Sequence, residues 1–399
     1  MRNATLIRGA RQLLTLRGPS GPRRGANLRN LGIIQDGAVL VIDGVIREVG
    51  PSRRIENLAL ARGAQEIDAS GRVVLPGFVD SHMQLVGSSL GRARPVHELP
   101  PRVLETTAQR AIEEAVRNGT TAMDAKSGLA ATEAEQLKVL RVHAALRELP
   151  LTLTSTFVSS GRSLDLGLRL LPTIRRRKLA EFAEIHWEAD AFASEQVCRY
   201  LTMVHELGLE LKLNAGLHAD CGAIEAAVSM EARSVDHLTE ANERDAMELA
   251  QSETLAVLAP GAIFQTRIGC SGVARTLIDH GAAIALATGY HPCECPSQSM
   301  QMAIALACRI LQMTAAEAIA ASTINAAHAL RRADRIGSIE CGKRADLIML
   351  SISDYRELPC HFGVNLVDFV MSRGTVLVEK SEIHWAGLGW TGLESRALE

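Results

Sequence analysis

The chain has 399 residues, of which 47% are hydrophobic and 22% charged, so it can bury a large core and does not resemble a disordered chain. Its formal net charge of −2 argues against a nucleic acid or an anionic membrane as its partner. The sequence contains no long apolar run typical of a secretory signal or a membrane span, and the 8 cysteines are scattered. We therefore expect a cytoplasmic protein with reduced cysteines.

The first 75 residues have the pattern of short strands. Residues 38–42 form an apolar run that ends at Asp43-Gly44, a dipeptide typical of a two-residue hairpin turn, and residues 45–50 follow as the returning strand. A further turn and strand precede residue 76. These patterns predict a small β-sheet unit at the start of the chain.

Between residues 76 and 335, strand-like apolar runs alternate with longer helical segments. This alternation is typical of parallel strands joined by crossover helices. About eight such units over roughly 260 residues predict a (β/α)8 barrel. After the first strand, the predicted strands are 120–124, 151–158, 210–215, 234–237, 254–258 and 282–288, and the predicted helices are 102–118, 132–146, 194–207, 300–311 and 315–330.

Sequence patterns typical of β-strands return after residue 335. A turn at Gly342-Lys343 precedes an apolar run at 345–350, and residues 370–378 form a further pair of strands. In the simplest arrangement, the strands from the two ends of the chain form one small β domain. We therefore predict an α/β fold with a TIM-like (β/α)8 barrel (76–335) and a small β-sandwich domain built from 1–75 and 336–399.

The most informative stretch is the apolar run that is broken by Pro76-Gly77 and ends in His82-Met83-Gln84. It resembles the first barrel strand of the amidohydrolase superfamily, in which the run ends His-x-His and the two imidazoles hold a divalent metal. In this chain Gln84 replaces the second imidazole. The pattern therefore indicates the superfamily and removes part of its usual metal site.

Further strings along almost the full length of the chain resemble imidazolonepropionases, the amidohydrolases that open the imidazolone ring in histidine breakdown. Lys126-Ser127-Gly128 resembles the family's string after strand two, and Asp236-His237-Leu238 resembles its Asp-His-Leu. The other matching strings are Ala191-Phe192 with Ser194, and residues 258–262, 323–327, 342–347, 354–359 and 361–365. The resemblance implies a hydrolase of non-peptide C–N bonds that forms a homodimer.

The resemblance also implies a metal centre at the ends of barrel strands one, five, six and eight. His82 and His237 match the histidines of strands one and six, and we assign both as metal ligands. Gln84, Asn214 and Gly289 stand at the other ligand positions. Gln and Asn are weaker ligands for a transition metal than imidazole, and a catalytic zinc site needs about three protein ligands plus water.

The chemistry of such a centre depends on a metal that lowers the pKa of bound water from about 15.7 to about 7 and on a carboxylate that moves the proton. The strand-eight aspartate that would move it is absent. Leu217 and Gly161 replace two further polar residues that the resemblance implies. The sequence therefore predicts a depleted site that holds one divalent metal, zinc or iron, or none, with His237 and Lys126 as candidate catalytic residues.

A rebuilt metal site is one alternative. His291, Cys293 and Cys295 follow the strand-eight position and His218 follows the strand-five position, and these residue types bind zinc. The alternative is that the cysteines pack in a loop and the histidines form ordinary hydrogen bonds. We favour this alternative because a lone Cys-x-Cys is not a standard zinc spacing. For His82 and His237, too, the alternative is a pair of hydrogen-bonded core histidines.

The candidate substrate-binding residues are Lys126, Ser127, Gly128, Gln84 and Asn214. The resemblance implies that Lys126 contacts a substrate carboxylate, and the alternatives are a solvated loop cation or a buried partner in a salt bridge. We expect a small-molecule ligand, no nucleic acid and no membrane.

Two functions remain open from the sequence. The first is an imidazolonepropionase-like amidohydrolase that hydrolyses a cyclic amide or another non-peptide C–N bond through a depleted or rebuilt metal site. The second is a catalytically silent relative that binds a small molecule or a partner protein, which the coordinated losses at 84, 214 and 289 favour. A weaker third possibility is metal-independent chemistry on a histidine or a cysteine. The losses argue against standard imidazolonepropionase activity.

Overall fold

The computed structural model describes residues 4–87, 96–129, 132–160, 164–187, 195–216, 222–266, 272–380 and 382–384. Strands β1 to β5 are Ala4–Leu14, Ile33–Ile42, Val45–Pro51, Gln65–Asp68 and Val73–Pro76. Strands β6 to β13 are Phe78–Met83, Thr120–Lys126, Thr152–Ser160, Phe182–His186, Glu210–Asn214, Ser234–Asp236, Leu255–Leu258 and Ile284–Leu286. Strands β14 to β17 are Leu347–Leu350, Val367–Ser372, Thr375–Glu379 and Glu382–Ile383.

Both ends of the chain contribute to one mixed sheet. Its strand order is β17-β16-β15-β14-β5-β1-β2-β3, with β4 paired to β1. Strand β5 pairs antiparallel with β14 and parallel with β1, so it connects the two ends of the chain. Asp43 and Gly44 both have positive φ (52° and 77°), as the predicted two-residue hairpin between β2 and β3 requires.

Strands β6 to β13 form the barrel sheet in simple chain order, and each neighbouring pair is parallel. The first and last strands meet where Gln84 N–H donates to Tyr290 O at 2.7 Å and Ser81 Oγ donates to Leu286 O at 3.3 Å. The prediction of a (β/α)8 barrel with a separate sheet from both termini is therefore confirmed. The exact domain boundaries stay a prediction.

Helices α1 to α6 are Ser52–Ile55, Pro101–Arg117, Glu133–Leu146, Leu164–Arg176, Glu195–Glu206 and Ala223–Ser229. Helices α7 to α12 are Glu243–Ala250, Pro260–Thr266, Val273–Asp279, Met300–Ile310, Ala315–Ala321 and Ile324–Ala329. Several caps follow the expected chemistry. Thr132, for example, caps α3 in a reciprocal box with Glu135. Within the described residues, no helix is both long and apolar enough to cross a bilayer.

Two elements differ from the predicted pattern. The fourth barrel strand, β9, was absent from the predicted strands because its five residues carry a glutamate and a histidine among three apolar residues. The helix predicted over 315–330 is two short helices, α11 and α12. The break falls at Ser322 and Thr323, whose hydroxyls donate back to Ala318 O and Ile319 O at 2.7 and 2.6 Å.

Candidate active site

The polar interior of the barrel is built from alternate positions of neighbouring strands. In β9, Glu184 and His186 are two residues apart, and in β10 Lys212 and Asn214 have the same spacing. The register pairs Glu184 with Lys212 and His186 with Asn214. Because side chains alternate between the two faces of a strand, these four side chains share one face of the sheet. The two pairs form successive layers below the carboxyl ends of the strands.

Lys126 lies at the centre of a buried cluster of carboxylates. Its Nζ is 3.1 Å from Asp236 Oδ2 and 3.2 Å from Asp124 Oδ2, and it donates to Glu184 Oε2. The side chain is 2% exposed. Burial by itself lowers the pKa of this ammonium, but the attraction of the three carboxylates outweighs burial and raises it above the ordinary value. Lys126 is therefore a permanent cation inside the barrel.

A second buried lysine completes this layer. Lys212 Nζ is 2.7 Å from Asp124 Oδ2 and lies 4.3 Å from the centroid of the Phe182 ring. Asp124 also accepts hydrogen bonds from the Thr156 hydroxyl. Burial alone would raise the pKa of Asp124, but the charges of Lys212 and Lys126 outweigh burial. The pKa is therefore well below the ordinary value, and the carboxyl is ionised.

Two histidines lie above this layer. His82 Nδ1 is 2.8 Å from Asp236 Oδ2, and its Nε2 is 3.1 Å from Nε2 of His237. The two rings meet edge to face, with centroids 4.3 Å apart. Burial first, and then the charge of His82, hold the pKa of His237 well below the ordinary value, so His237 is neutral.

His237 has an unusual backbone conformation for a histidine. It follows β11 with φ of 63°, in the left-handed region that costs a non-glycine residue about 1–3 kcal/mol. Its Nδ1 is buried and makes no hydrogen bond with any described residue. Both the backbone strain and the unpaired buried nitrogen cost stability. Local stability therefore does not explain why a histidine stands at this position.

The two amides predicted to bind substrate are both held by protein groups. Gln84 Nε2 donates to Val86 O at 3.2 Å, and the amide packs so closely on Gly128 that a Cβ there would lie 2.5 Å from Nε2. Asn214 Nδ2 donates to Glu184 Oε1 at 3.3 Å, and its Oδ1 accepts from Gly216 N–H at 2.9 Å.

The strand-eight position is sterically closed. Gly289 has φ of 66°, and a Cβ added there would lie 2.8 Å from Ala259 Cβ, 3.3 Å from Ala262 Cβ and 3.6 Å from His237 Cε1. A real Cβ does not approach another carbon this closely. The start of α8 therefore fills the space in which a strand-eight side chain would project.

Among the described residues, the candidate replacement ligands join no group of three side chains with the spacing of metal ligands. His291 Nδ1 accepts from the backbone N–H of Cys293 and Glu294 at 3.3 and 3.2 Å. Cys295 Sγ is 3.6 Å from Thr288 O, and burial raises the pKa of this thiol to about 11. His218 lies outside the described residues, as do Leu217 and Gly161. Their roles as ligands stay predictions.

The Lys126-Ser127-Gly128 string has a structural role in the barrel. Ser127 Oγ accepts from Val158 N–H at 3.0 Å, and Gly128 O accepts from Gln136 Nε2 at 2.9 Å. Lys126 faces the protein carboxylates, which matches the alternative of a buried salt-bridge partner. Its contact with a substrate carboxylate, and the substrate roles of Ser127 and Gly128, stay predictions.

Several interior residues were not predicted to belong to the site. Asp124 and Lys212, beside Lys126, are two of them. Glu184 and His186 lie on the strand that the sequence pattern did not reveal. A carboxylate two residues before a histidine in an apolar segment is the signal that could have identified them. Asp80, two residues before His82, accepts from the Thr288 hydroxyl at 2.5 Å and from its N–H at 3.1 Å. Burial raises the pKa of Asp80 to about 6.

The superfamily usually binds a divalent metal, and one group of described side chains has suitable spacing. Ligand atoms of His82, Glu184 and Asp236 all lie within 4.8 Å of one another. However, Lys126 Nζ is bonded to both of these carboxylates, and Asp236 Oδ2 also bonds His82 Nδ1. The Lys126 ammonium thus already neutralises the carboxylates on the Nδ1 side of the His82 ring. This side does not fit a metal ion.

The outer side of the His82 ring fits a metal no better. Two imidazole nitrogens, Nε2 of His82 and of His237, face each other there. Among the residues that the structure describes, no third ligand joins them, because Gly289 has no side chain and the amides of Gln84 and Asn214 are bonded elsewhere. The described residues therefore do not fit the metal centre that the superfamily uses.

Comparison with known proteins agrees with this architecture. The model of the amidohydrolase family matches residues 73–377. The imidazolonepropionase of Alkaliphilus metalliredigens (strain QYMF) is 30% identical over 416 aligned residues, which cover 95% of this chain and 99% of that protein. The imidazolonepropionase of Parabacteroides distasonis is 35% identical, and the alignment covers 92% of this chain and 97% of that protein.

Solved structures show the same fold at much lower identity. An adenosine deaminase from Xanthomonas campestris with bound zinc is 18% identical with a TM-score of 0.68, and the match covers 95% of this chain and 94% of that one. The atrazine chlorohydrolase from Arthrobacter aurescens TC1, complexed with zinc, is 16% identical with a TM-score of 0.75, covering 96% and 97%. Both similarities concern the fold alone.

Proposed function

The chain belongs to the amidohydrolase family, and from that premise we propose that it binds a small molecule at the carboxyl end of its barrel without metal-dependent hydrolysis. The observation that carries the proposal is the closed corner at Gly289, where a Cβ would lie 2.8 Å from Ala259 Cβ. If only the ligand residue had changed, space for the original side chain would remain. Here Ala259, just before α8, and Ala262, within α8, crowd the place where a Cβ at 289 would lie.

The chemistry that remains supports ligand binding. In parallel (β/α)8 barrels ligands bind at the carboxyl ends of the strands, where His82, His186, Asn214 and His237 lie. The neutral His237 with its unpaired Nδ1 offers a hydrogen-bonding group to a ligand. By contrast, Lys126 is already paired with three carboxylates. A ligand with amide-like or heterocyclic donors and acceptors suits these groups.

The competing function is hydrolysis of a cyclic amide or another non-peptide C–N bond. Two observations favour it: the identity of 30–35% to imidazolonepropionases over nearly the whole chain, and the convergence of His82 Nε2 and His237 Nε2 at 3.1 Å. The depleted ligand set weighs against it, since about three protein ligands are typical of a catalytic zinc.

The test combines elemental analysis of protein purified without chelators with a hydrolysis assay on imidazolone propionate. The imidazolonepropionase of Alkaliphilus metalliredigens serves as the positive control in the same buffer. We expect less than one metal ion per ten chains and no turnover, together with saturable binding of imidazolone propionate or a related heterocycle by calorimetry. One metal per chain with turnover would establish the hydrolase instead.

The assembly of the chain is a separate proposal. The resemblance to the imidazolonepropionases leads us to propose a homodimer in the cytoplasm. Light scattering coupled to size-exclusion chromatography tests the dimer, because a monomer of 42.9 kDa and its dimer differ twofold in mass.

A further inference from the structure

The ammonium of Lys126 lies against side chains that have the spacing of metal ligands. One ligand atom from each of His82, Glu184 and Asp236 lies within 4.8 Å of the other two. Lys126 Nζ donates to Glu184 Oε2 and is 3.1 Å from Asp236 Oδ2, which is in turn 2.8 Å from His82 Nδ1. A zinc ion bonded at about 2.0–2.2 Å holds its ligand atoms about 3–4 Å apart. Small side-chain movements would therefore let these three groups bind one ion.

The two carboxylates are oriented through oxygens that Lys126 does not contact. Asp236 Oδ1 accepts from the Ser234 hydroxyl at 2.6 Å. Glu184 Oε1 accepts from Asn214 Nδ2 at 3.3 Å. In metal sites, hydrogen bonds of this kind hold the ligating carboxylates in place. We therefore expect both carboxylates to keep their orientation when the ammonium is removed.

His82 can become a ligand by a change of tautomer alone. A histidine that binds a metal through one ring nitrogen carries its proton on the other nitrogen and donates it to a neighbouring group. The second nitrogen of His82, Nε2, is 3.1 Å from Nε2 of His237, which can accept that hydrogen bond. With the proton on Nε2, the Nδ1 lone pair of His82 faces the side of the ring on which Asp236 lies. The ring does not need to rotate.

The charges of the layer show what the ammonium balances. Asp124, Glu184 and Asp236 contribute three carboxylates, and all three pair with Lys126. Lys212 is the second cation, and it pairs with Asp124 at 2.7 Å. Without Lys126, three carboxylates would face one ammonium, which leaves a net charge of −2. A divalent ion carries the charge that would neutralise them.

We propose that Lys126 is the resident cation of a latent divalent-metal site formed by His82, Glu184 and Asp236, and that its ammonium excludes a metal ion from these ligands. The ammonium supplies positive charge and three N–H donors, but unlike a metal it cannot bind a water molecule as a Lewis acid. Lys126 therefore keeps the barrel interior charge-balanced without giving it the chemistry of a metal. The inference rests on the proposed function, in which the chain carries no catalytic metal.

The test is zinc binding by Lys126→Ala, which removes the ammonium and leaves its space open. Because the site is buried, the variant and the wild type are both refolded from urea with zinc at pH 7.5 and then desalted. By elemental analysis we expect about one zinc per chain in the variant and less than about one per ten chains in the wild type, with an unfolding midpoint that zinc raises only in the variant. A variant that holds no more zinc than the wild type overturns the proposal alone, whereas stoichiometric zinc in the wild type contradicts the proposed function as well.

The loss of the ammonium can make folding of the variant depend on the metal. Circular dichroism of Lys126→Ala refolded with zinc and with a chelator covers this case, because ligand binding to the folded state stabilises it. If the variant is unfolded in chelator, we expect zinc to restore the folded signal. A variant that stays unfolded in both solutions overturns the proposal.

Lys212→Ala is the matched control. It removes the other buried ammonium of the same layer but leaves Lys126 on Glu184 and Asp236, so we expect no more zinc than in the wild type. Equal zinc in Lys212→Ala and Lys126→Ala would show that net charge alone governs binding and overturns the proposal. In the Lys126→Ala background, Glu184→Gln removes one of the three ligands and should lower zinc affinity at least ~tenfold, a factor typical even of changes to the partners of metal ligands. An unchanged affinity would contradict the assigned ligand set.

Discussion

The closed corner at Gly289 makes a quantitative prediction about any attempt to rebuild the metal site. Gly289→Ala introduces two unfavourable effects. The backbone at φ of 66° costs an L-residue about 1–2 kcal/mol. The new Cβ would lie 2.8 Å from Ala259 Cβ, against about 3.5–4.0 Å for an ordinary contact, and overpacking of this kind costs about 1–3 kcal/mol. We expect a loss of about 2–5 kcal/mol in the free energy of unfolding.

Gly71→Ala is the matched control for the backbone effect. Gly71 has φ of 76°, and a Cβ there would meet no atom within 4 Å. Its substitution should therefore cost about 1–2 kcal/mol, from the backbone alone. Urea denaturation of both variants at pH 7 measures the difference, which isolates the overpacking at Gly289. Equal losses in the two variants would refute the closed corner.

The same corner predicts that restoring the acidic residue does not restore metal binding. In Gly289→Asp we expect no stoichiometric zinc by elemental analysis and no hydrolysis, since Ala259 and Ala262 occupy the space that the side chain needs. Adding Ala259→Gly should recover part of the lost stability by removing the nearest contact. A Gly289→Asp variant that is as stable as the wild type and binds one zinc per chain would contradict both the steric argument and the proposed function.

Three further predictions concern buried groups. The pKa of Asp80 is raised by burial from 3.8 to about 6, so its protonated form stabilises the fold below pH 3.8, and about 3 kcal/mol is lost as the pH rises through 6. Asp80→Asn should therefore gain stability relative to the wild type between pH 4 and 7 in urea titrations; a constant difference would contradict this. Lys126→Met leaves Glu184 and Asp236 without their ammonium and should cost about 3–5 kcal/mol at pH 7 and less at pH 5, where carboxylates protonate more readily. Lys212→Met should cost less because Asp124 keeps Lys126 at 3.2 Å, and equal losses would show that the three-carboxylate cluster has no special weight. Burial raises the pKa of Cys295 to about 11, so iodoacetamide at pH 8 should label the exposed Cys341 and spare Cys295 until urea is added, as mass spectrometry would show.

The architecture was predictable because it rests on local signals. Each of these signals depends on a few neighbouring residues. They are the Asp43-Gly44 turn, the alternation of strands and helices, and the strand patterns that return after residue 335. They led to a barrel and a sheet from both termini, which the structure and the family match confirm. The strand that was missed, β9, lacks such a signal because its glutamate and histidine interrupt the apolar pattern.

The arrangement inside the site was less predictable because it depends on contacts distant in sequence. Lys126 bonds Glu184 and Asp236, which are 58 and 110 residues away. A lysine after a strand predicts an anion partner, but nothing local shows whether that anion is a substrate or the protein itself. The motif match therefore left the partner of Lys126 undetermined, and its role in the site stays a prediction. His82 and His237 lie together, with their Nε2 atoms 3.1 Å apart, because both are at the carboxyl ends of strands, and their role as metal ligands stays a prediction.

The three substituted ligand positions differ in how easily a metal ligand could be restored. Gln84 and Asn214 still carry polar side chains of nearly the same length as histidine, and each now bonds a protein group. Gly289 differs, because the neighbouring Ala259 and Ala262 fill its corner. A histidine could replace Gln84 or Asn214 on the present backbone, whereas an acid at 289 requires Ala259 to move. Position 289 is therefore the one at which the proposed loss of the resident metal is hardest to reverse.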